Sequence, residues 1–231
     1  MDYQKFDPKR YSGSAASLSI AQGDLVDIKD ALPKAKGAAL LEVGCGSGTL
    51  LAVLRRHGYG NLLGLESCEE AAARASSTAG CAVLSINWED FVRGSQEKFD
   101  AILALDVLEH LPPASVPATL AYTISCLRPG GRLIIRTPNP ECPFSLWLLY
   151  SDLTHNRMYS PRLLVHLLTR ISRTLTVRIW SPRPHKRVLR LIHVVSDYLL
   201  LRPLFTLLFY WFFGQRPRSI TANYYLCATL Q

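Results

Sequence analysis

From Ala38 onward the chain alternates short, continuous apolar runs with stretches whose apolar positions recur every three or four residues. Ala39–Val43 is the first run, and Thr49–His57 follows with helical spacing and a stop at Gly58. Asn61–Glu66 predicts a second strand, and the Ala-rich Glu69–Thr78 a helix closed by Gly80. Ala82–Ile86 and Phe99–Leu105 read as the third and fourth strands. Pro113–Leu127 reads as a helix ended by Pro129-Gly130-Gly131, and Arg132–Thr137 as a fifth strand. Runs that are apolar throughout, rather than alternating, belong to parallel strands covered on both faces. Strand–helix alternation of this kind predicts an α/β fold with a Rossmann-like, doubly wound, mostly parallel sheet. Ser160–Arg170 follows as a helix, with Ser160 as N-cap and Pro161 in its first turn. Leu175–Trp180 and Asn223–Thr229 bring the strand count to seven and predict an antiparallel edge. The organisation expected is an N-terminal helical or irregular cap over 1–36, a core over 37–182, a basic apolar helical insert over 183–220, and a last core strand over 221–231.

Composition narrows the class. Of 231 residues, 48% are apolar and 19% charged, which is globular and excludes a disordered chain, a collagen and a coiled coil. The net charge of +8 is unevenly spread. Residues 1–110 carry 11 basic and 15 acidic side chains, 111–182 carry 8 and 2, and 183–231 carry 7 and 1. The six cysteines are scattered, without a CxxC pair or a Cys/His cluster at zinc spacing, so free thiols in a reducing compartment are expected. The N-terminal MDYQKFDPKRY lacks the apolar region of a signal peptide. The apolar stretch Pro203–Phe213 has 11 residues, short of the roughly 20 that a spanning helix needs.

Chemistry concentrates at the predicted carboxyl ends of the strands, where open α/β sheets hold their ligands. The strand Leu41-Glu42-Val43 runs into Gly44-Cys45-Gly46-Ser47-Gly48 and then a helix. Glycines let a ligand approach the backbone, and the N–H groups opening a helix favour polar groups. The pattern is GxGxG, not the dinucleotide GxGxxG, and no GK[ST] follows for a nucleoside triphosphate. Glu66 ends the second strand, where an acid can take both hydroxyls of a ribose. Asn87 follows the third strand, Asp106–His110 the fourth, and Thr137–Pro140 the fifth.

Taken together, LEVGCGSG, GLE at 64–66, FDAILALDVLEHL and LRPGGRLIIRTPNP resemble, in order and spacing, the motifs of class I S-adenosylmethionine-dependent methyltransferases. The resemblance is to the small-molecule type that includes ubiquinone-pathway O-methyltransferases, and it covers about residues 38–180. It implies S-adenosyl-L-methionine as cofactor. Glu42, Gly44, Cys45, Gly46 and Gly48 would cradle its methionine and ribose portion, Glu66 would hold the ribose hydroxyls, and Ser67 would also bind the cofactor. Asn87 stands where the family more often has an Asp facing the adenine amino group. Trp88 would pack on the adenine face or, alternatively, belong to the core. Leu105 and Asp106 would lie beside the sulfonium and amino group. His110 and His155 are the candidate catalytic bases, since an imidazole titrates near neutrality and can deprotonate a hydroxyl; each could instead be a structural histidine. Trp147, Arg157 and Tyr159 are candidate acceptor contacts. No metal-ligand set is evident.

The insert Arg183–Arg218 is the part that such a core does not explain. Lys186, Arg187 and Arg190 precede Leu189, Ile192, Val195, Tyr198 and Leu199 at helical spacing, an apolar run follows, and Arg216 and Arg218 close it. Basic flanks around aromatic and aliphatic bulk suit a helix lying in a membrane interface; a cap on the domain or a homodimer interface is the alternative. The function expected is methylation, O-directed, of a small or lipid-linked hydrophobic acceptor, in the cytoplasm or peripherally on the inner face of the membrane through 185–216. N- or C-methylation of a soluble metabolite, and a non-catalytic membrane-associated adaptor, stay open. No nucleic acid is expected, because LDVLEHL stands where amino-methylating nucleic-acid enzymes carry an NPPY-like motif.

Overall fold

The computed structural model describes residues 15–142, 145–182, 202–213 and 221–231. The spaced apolar positions Leu189–Leu199 and the basic residues Lys186, Arg187, Arg190, Arg216 and Arg218 lie outside the described residues, as does the start of the 1–36 cap. In chain order the elements that build the site are α1 (Ala15–Ile28), β1 (Ala39–Val43), α2 (Thr49–Arg56), β2 (Asn61–Glu66), α3 (Glu69–Ala79) and β3 (Ala82–Ser85). Then come α4 (Trp88–Gly94), β4 (Phe99–Leu105), a 3₁₀ turn (Leu108–His110), α5 (Val116–Ser125), β5 (Leu127–Pro138), α6 (Leu146–Ser151), α7 (Pro161–Ile171), β6 (Leu175–Trp180), α8 (Arg202–Phe213) and β7 (Asn223–Leu230).

The strands form one sheet in the order β3-β2-β1-β4-β5-β7-β6. The first five run parallel, and β7 pairs antiparallel with β5 and β6. The antiparallel region therefore sits at the expected edge, with β7 slotted between β5 and the outermost β6. Every residue of β1 is buried, Glu42 included, as its position as a central strand covered on both faces requires. The two faces form two cores: Leu41, Val43, Ile102 and Leu133 lie in one, and Leu40, Ala101, Leu103 and Ile134 in the other. Alternate residues of a strand point to opposite faces, and this division follows from that period.

Local chemistry sets the helix ends. Gly80 closes α3 at φ 64°, a left-handed position that suits glycine. Ser160 Oγ accepts from Leu163 N and Pro161 opens α7. Strand order reverses between β1, whose partner β2 lies on one side, and β4 on the other. The loops leaving β1 and β4 diverge there and open the crevice in which such sheets bind ligands.

Candidate active site

That crevice is a cavity of about 500 Å³. Its wall includes Ser17, Ile20, Ala21 and Asp24 of α1, the whole turn Glu42–Ser47 and Thr49, Glu66 and Ser67, Asn87 and Trp88, Leu105 and Asp106, and His110 with Asp152. The turn holds Gly44, Gly46 and Gly48 at φ 61°, 55° and 73°. At Gly44 a Cβ would come within 2.7 Å of Val107 Cγ2, and at Gly48 within 2.5 Å of the Ala75 carbonyl oxygen. Side chains are excluded at both positions by backbone conformation and by space; Gly44 is on the cavity wall, whereas Gly48 is not and instead lets the turn pack against α3.

Glu66 is buried at the end of β2. Its Oε2 accepts from Gly46 N at 3.0 Å and its Oε1 from Cys68 N at 3.2 Å. One carboxylate thus ties the glycine turn to the start of α3. A carboxylate has about four acceptor positions, so capacity for ribose hydroxyls remains. Ser67 Oγ sits 3.5 Å from Glu66 Oε1. Cys45 N donates to Leu65 O at 2.9 Å, fastening the turn to β2. Burial, then Glu42 and Glu66, push the Cys45 thiol far up, so it stays protonated.

Asn87 caps α4: its Oδ1 accepts from Asp90 N at 2.9 Å and its Nδ2 donates to Asp90 Oδ2 at 2.7 Å. Trp88 is 3% exposed, its indole N–H donates to Thr123 Oγ1 at 3.0 Å, and it packs in the core while forming part of the cavity wall. The two readings of this residue are therefore compatible. Asp106 adopts φ 54° and is gripped by Arg136, Nε to Oδ1 at 2.9 Å and Nη2 to Oδ2 at 2.6 Å. The same guanidinium pairs with Asp24 of α1 and donates to Tyr225 Oη at 3.1 Å. Nothing in the sequence announced this link, which spans 112 positions.

The two candidate histidines come together. Their ring centroids are 4.7 Å apart, and His155 Nε2 lies 3.8 Å from Asp152 Oδ2. His110 and Asp152 contribute to the cavity wall, and His155 does not. Glu109, His110 and His155 also bring ligand-type atoms within 4.8 Å of one another, a grouping able to hold a cation that no spacing in the sequence revealed. Thr137 Oγ1 already donates to Glu109 Oε2 at 3.0 Å. Tyr159 is buried in the core beside Leu164 and Tyr224 and is not on the cavity wall, and Arg157 stacks 5.9 Å from its ring. Trp147 lies on α6, and its side chain is outside the described residues.

A family profile described as a methyltransferase domain matches residues 18–176. The chain belongs to that methyltransferase-domain family. Its motifs and fold place it in class I, the S-adenosylmethionine-dependent methyltransferases. Among curated relatives, a ubiquinone biosynthesis O-methyltransferase of Coxiella burnetii is 30% identical over 108 residues, 45% of each chain. One from Xylella fastidiosa is 33% identical over 118 residues, 45% of this chain and 43% of its own. The match thus spans under half the length of these relatives. A SAM-dependent methyltransferase from Archaeoglobus fulgidus shares the fold at TM-score 0.70 and 17% identity, over 99% of this chain and 100% of its own. The N-methyltransferase NodS from Bradyrhizobium japonicum, solved with S-adenosyl-L-homocysteine, does so at 0.60 and 15%, over 97% and 92%. S-adenosyl-L-methionine is the cofactor of this class, and the cavity fits it: a volume within the usual range for ligand sites, a glycine turn that admits no Cβ at Gly44 and an acid at the end of β2.

Proposed function

We propose that this protein methylates an oxygen of a small or lipid-linked hydrophobic acceptor close to a membrane surface. The observation that carries the reading is one continuous cavity whose wall joins the glycine turn and Glu66 to His110. S-adenosylmethionine, when bound, supplies a methyl group on a sulfonium centre, which a nucleophile takes to leave S-adenosylhomocysteine. The chain binds and orients. Glu66 accepts from the ribose hydroxyls, the amides of the glycine turn face the polar end, and Leu105 and Trp88 offer apolar wall. His110 takes the proton of the acceptor's hydroxyl, so the oxygen attacks as an anion and the proton ends on the imidazole. Alignment of nucleophile and methyl group supplies the rest of the rate.

Oxygen as the accepting atom draws support from the two partial O-methyltransferase relatives. A hydrophobic acceptor, and membrane contact through 185–216, draw support from the exposed apolar side chains of α8. No helix among the described residues is long and apolar enough to cross a membrane. Calorimetric titration with S-adenosylhomocysteine tests the reading. Glu66→Ala should weaken binding about 10- to 100-fold, as expected for a lost hydrogen bond to a charged group. Failure of the folded wild-type protein to bind would overturn the reading. With binding established, a screen of hydrophobic phenols with labelled methyl donor should find an acceptor. His110→Ala should slow its methylation at unchanged cofactor affinity.

A further inference from the structure

The segment Asp152–Asn156 is folded against the Leu108–His110 turn. Asn156 N donates to Glu109 O at 2.8 Å, and Asn156 Nδ2 to His110 O at 2.7 Å. Within the segment, Asp152 Oδ1 accepts from both the amide of Thr154 at 2.8 Å and its hydroxyl at 2.5 Å. The same hydroxyl oxygen lies 2.9 Å from His110 Nδ1, and the Thr154 carbonyl oxygen lies 3.3 Å from it. Burial raises the Asp152 carboxyl, but the two hydrogen bonds from Thr154 prevail and hold it below its ordinary value. At neutral pH the group is a carboxylate and can only accept.

The donor count then settles the direction of each bond. A threonine hydroxyl has one proton, and Asp152 takes it. Toward His110 the hydroxyl is therefore an acceptor, and so is the Thr154 carbonyl. Both call for a proton on Nδ1. We infer that Asp152 and Thr154 are positioning residues that hold neutral His110 as its Nδ1–H tautomer, so that Nε2 is the atom that receives the acceptor's proton. On proton transfer the acceptor O–H bond breaks, the Nε2–H bond forms, and the imidazolium keeps its Nδ1–H on Thr154. His155, packed on the His110 ring with its planes tilted by 55°, restrains the ring from rotating. In water a neutral histidine favours the opposite tautomer, with its proton on Nε2; the loop reverses that preference. The inference deepens the methyl-transfer reading of this cavity and rests on it for the role of Nε2.

Long-range ¹H–¹⁵N correlation of histidine-labelled, EDTA-treated protein at about pH 8, above the ordinary range of histidine, reads the tautomer directly. His110 is assigned by the signals lost in His110→Gln. The expected spectrum has Nδ1 shifted as a protonated nitrogen and Nε2 as a bare one. Thr154→Val should shift His110 toward the Nε2–H form, and Thr154→Ser should restore the wild-type pattern. A wild-type Nε2–H tautomer, or a Thr154→Val spectrum unchanged from wild type, would overturn the inference. Should Thr154→Val not fold, the wild-type and Thr154→Ser spectra still decide. Titration of the same samples with S-adenosylhomocysteine keeps the two ideas apart. Wild-type protein that binds it but shows the wrong tautomer retains the cavity assignment and loses only the role of Thr154 and Asp152.

Discussion

Gly48 seats the turn on α3 through what it lacks. It sits at φ 73°, and a Cβ there would meet the Ala75 carbonyl oxygen of α3 at 2.5 Å, a backbone atom that cannot swing aside. Gly48→Ala should destabilise the fold by about 1–3 kcal/mol from backbone strain, with the clash adding to it. In a chain of this size each kcal/mol lowers Tm by roughly 2–4 °C, so a thermal melt resolves the effect. Gly60→Ala is the control, since its Cβ would meet nothing within 4 Å; its melt should match wild type within about 0.5 kcal/mol. Equal shifts in the two variants would show that the turn tolerates a side chain. The turn and Glu66 are legible in the sequence because they stand side by side with a strand and a helix. Trp88 is only half legible: its place just after the third strand is local, but its partner Thr123 is 35 residues away. The union of His110 with Thr154 spans 44 positions and has no local signature at all.

Elements differ in legibility for a related reason. β1, β2, β4 and β6 end where their apolar runs end, because a glycine or a polar residue, Gly44, Ser67, Asp106 and Ser181, follows each of them. α4 and α6 leave none, at 7 and 6 residues, too short for the helical period to repeat. β5 begins at Leu127, before the Pro129-Gly130-Gly131 that reads as a break, because the strand carries a register shift opposite Phe99 and Ala101. The helix α1 falls within the stretch expected to be a helical or irregular cap, and its docking is visible only in the structure. Ala21, Leu25 and Ile28 pack in a core shared with Leu50, Leu51 and Leu54 of α2. Asp24 adds its pair with Arg136, which is buried between Asp24 and Asp106. Loss of one partner of a buried pair leaves charge poorly compensated. Asp24→Ala should therefore speed amide hydrogen exchange in α1 and lower affinity for S-adenosylhomocysteine, with exchange in β1 and β4 unchanged. Unaltered exchange in α1 would mean that its apolar contacts alone seat the helix.

At the scale of the molecule, charge and exposed apolar surface fall in the same part of the chain. Residues 183–231 carry 7 basic side chains and 1 acidic one, while residues 1–110 are net acidic. Within that basic stretch α8 exposes Leu207 at 62%, Trp211 at 81% and Phe212 at 74%. Those side chains are costly to leave in water, and a fully buried one gains roughly 1.5–3 kcal/mol. An anionic bilayer would receive both features at once, the aromatic bulk in its interface and the basic residues at its headgroups, worth about 1 kcal/mol each when near the surface. The two contributions separate experimentally because salt screens only one of them. Wild-type protein should float with vesicles containing phosphatidylglycerol and be released in part by high salt. Trp211→Ala combined with Phe212→Ala should weaken flotation at every salt concentration, whereas replacement of Arg216 and Arg218 by Gln should weaken it chiefly at low salt. Absence of flotation, together with a sedimentation coefficient that rises with protein concentration and falls in the Trp211/Phe212 variant, would assign α8 to a contact between two copies of the chain instead. That outcome would also remove the main reason to seek the acceptor among lipid-linked compounds, and a search for it would turn to soluble phenols.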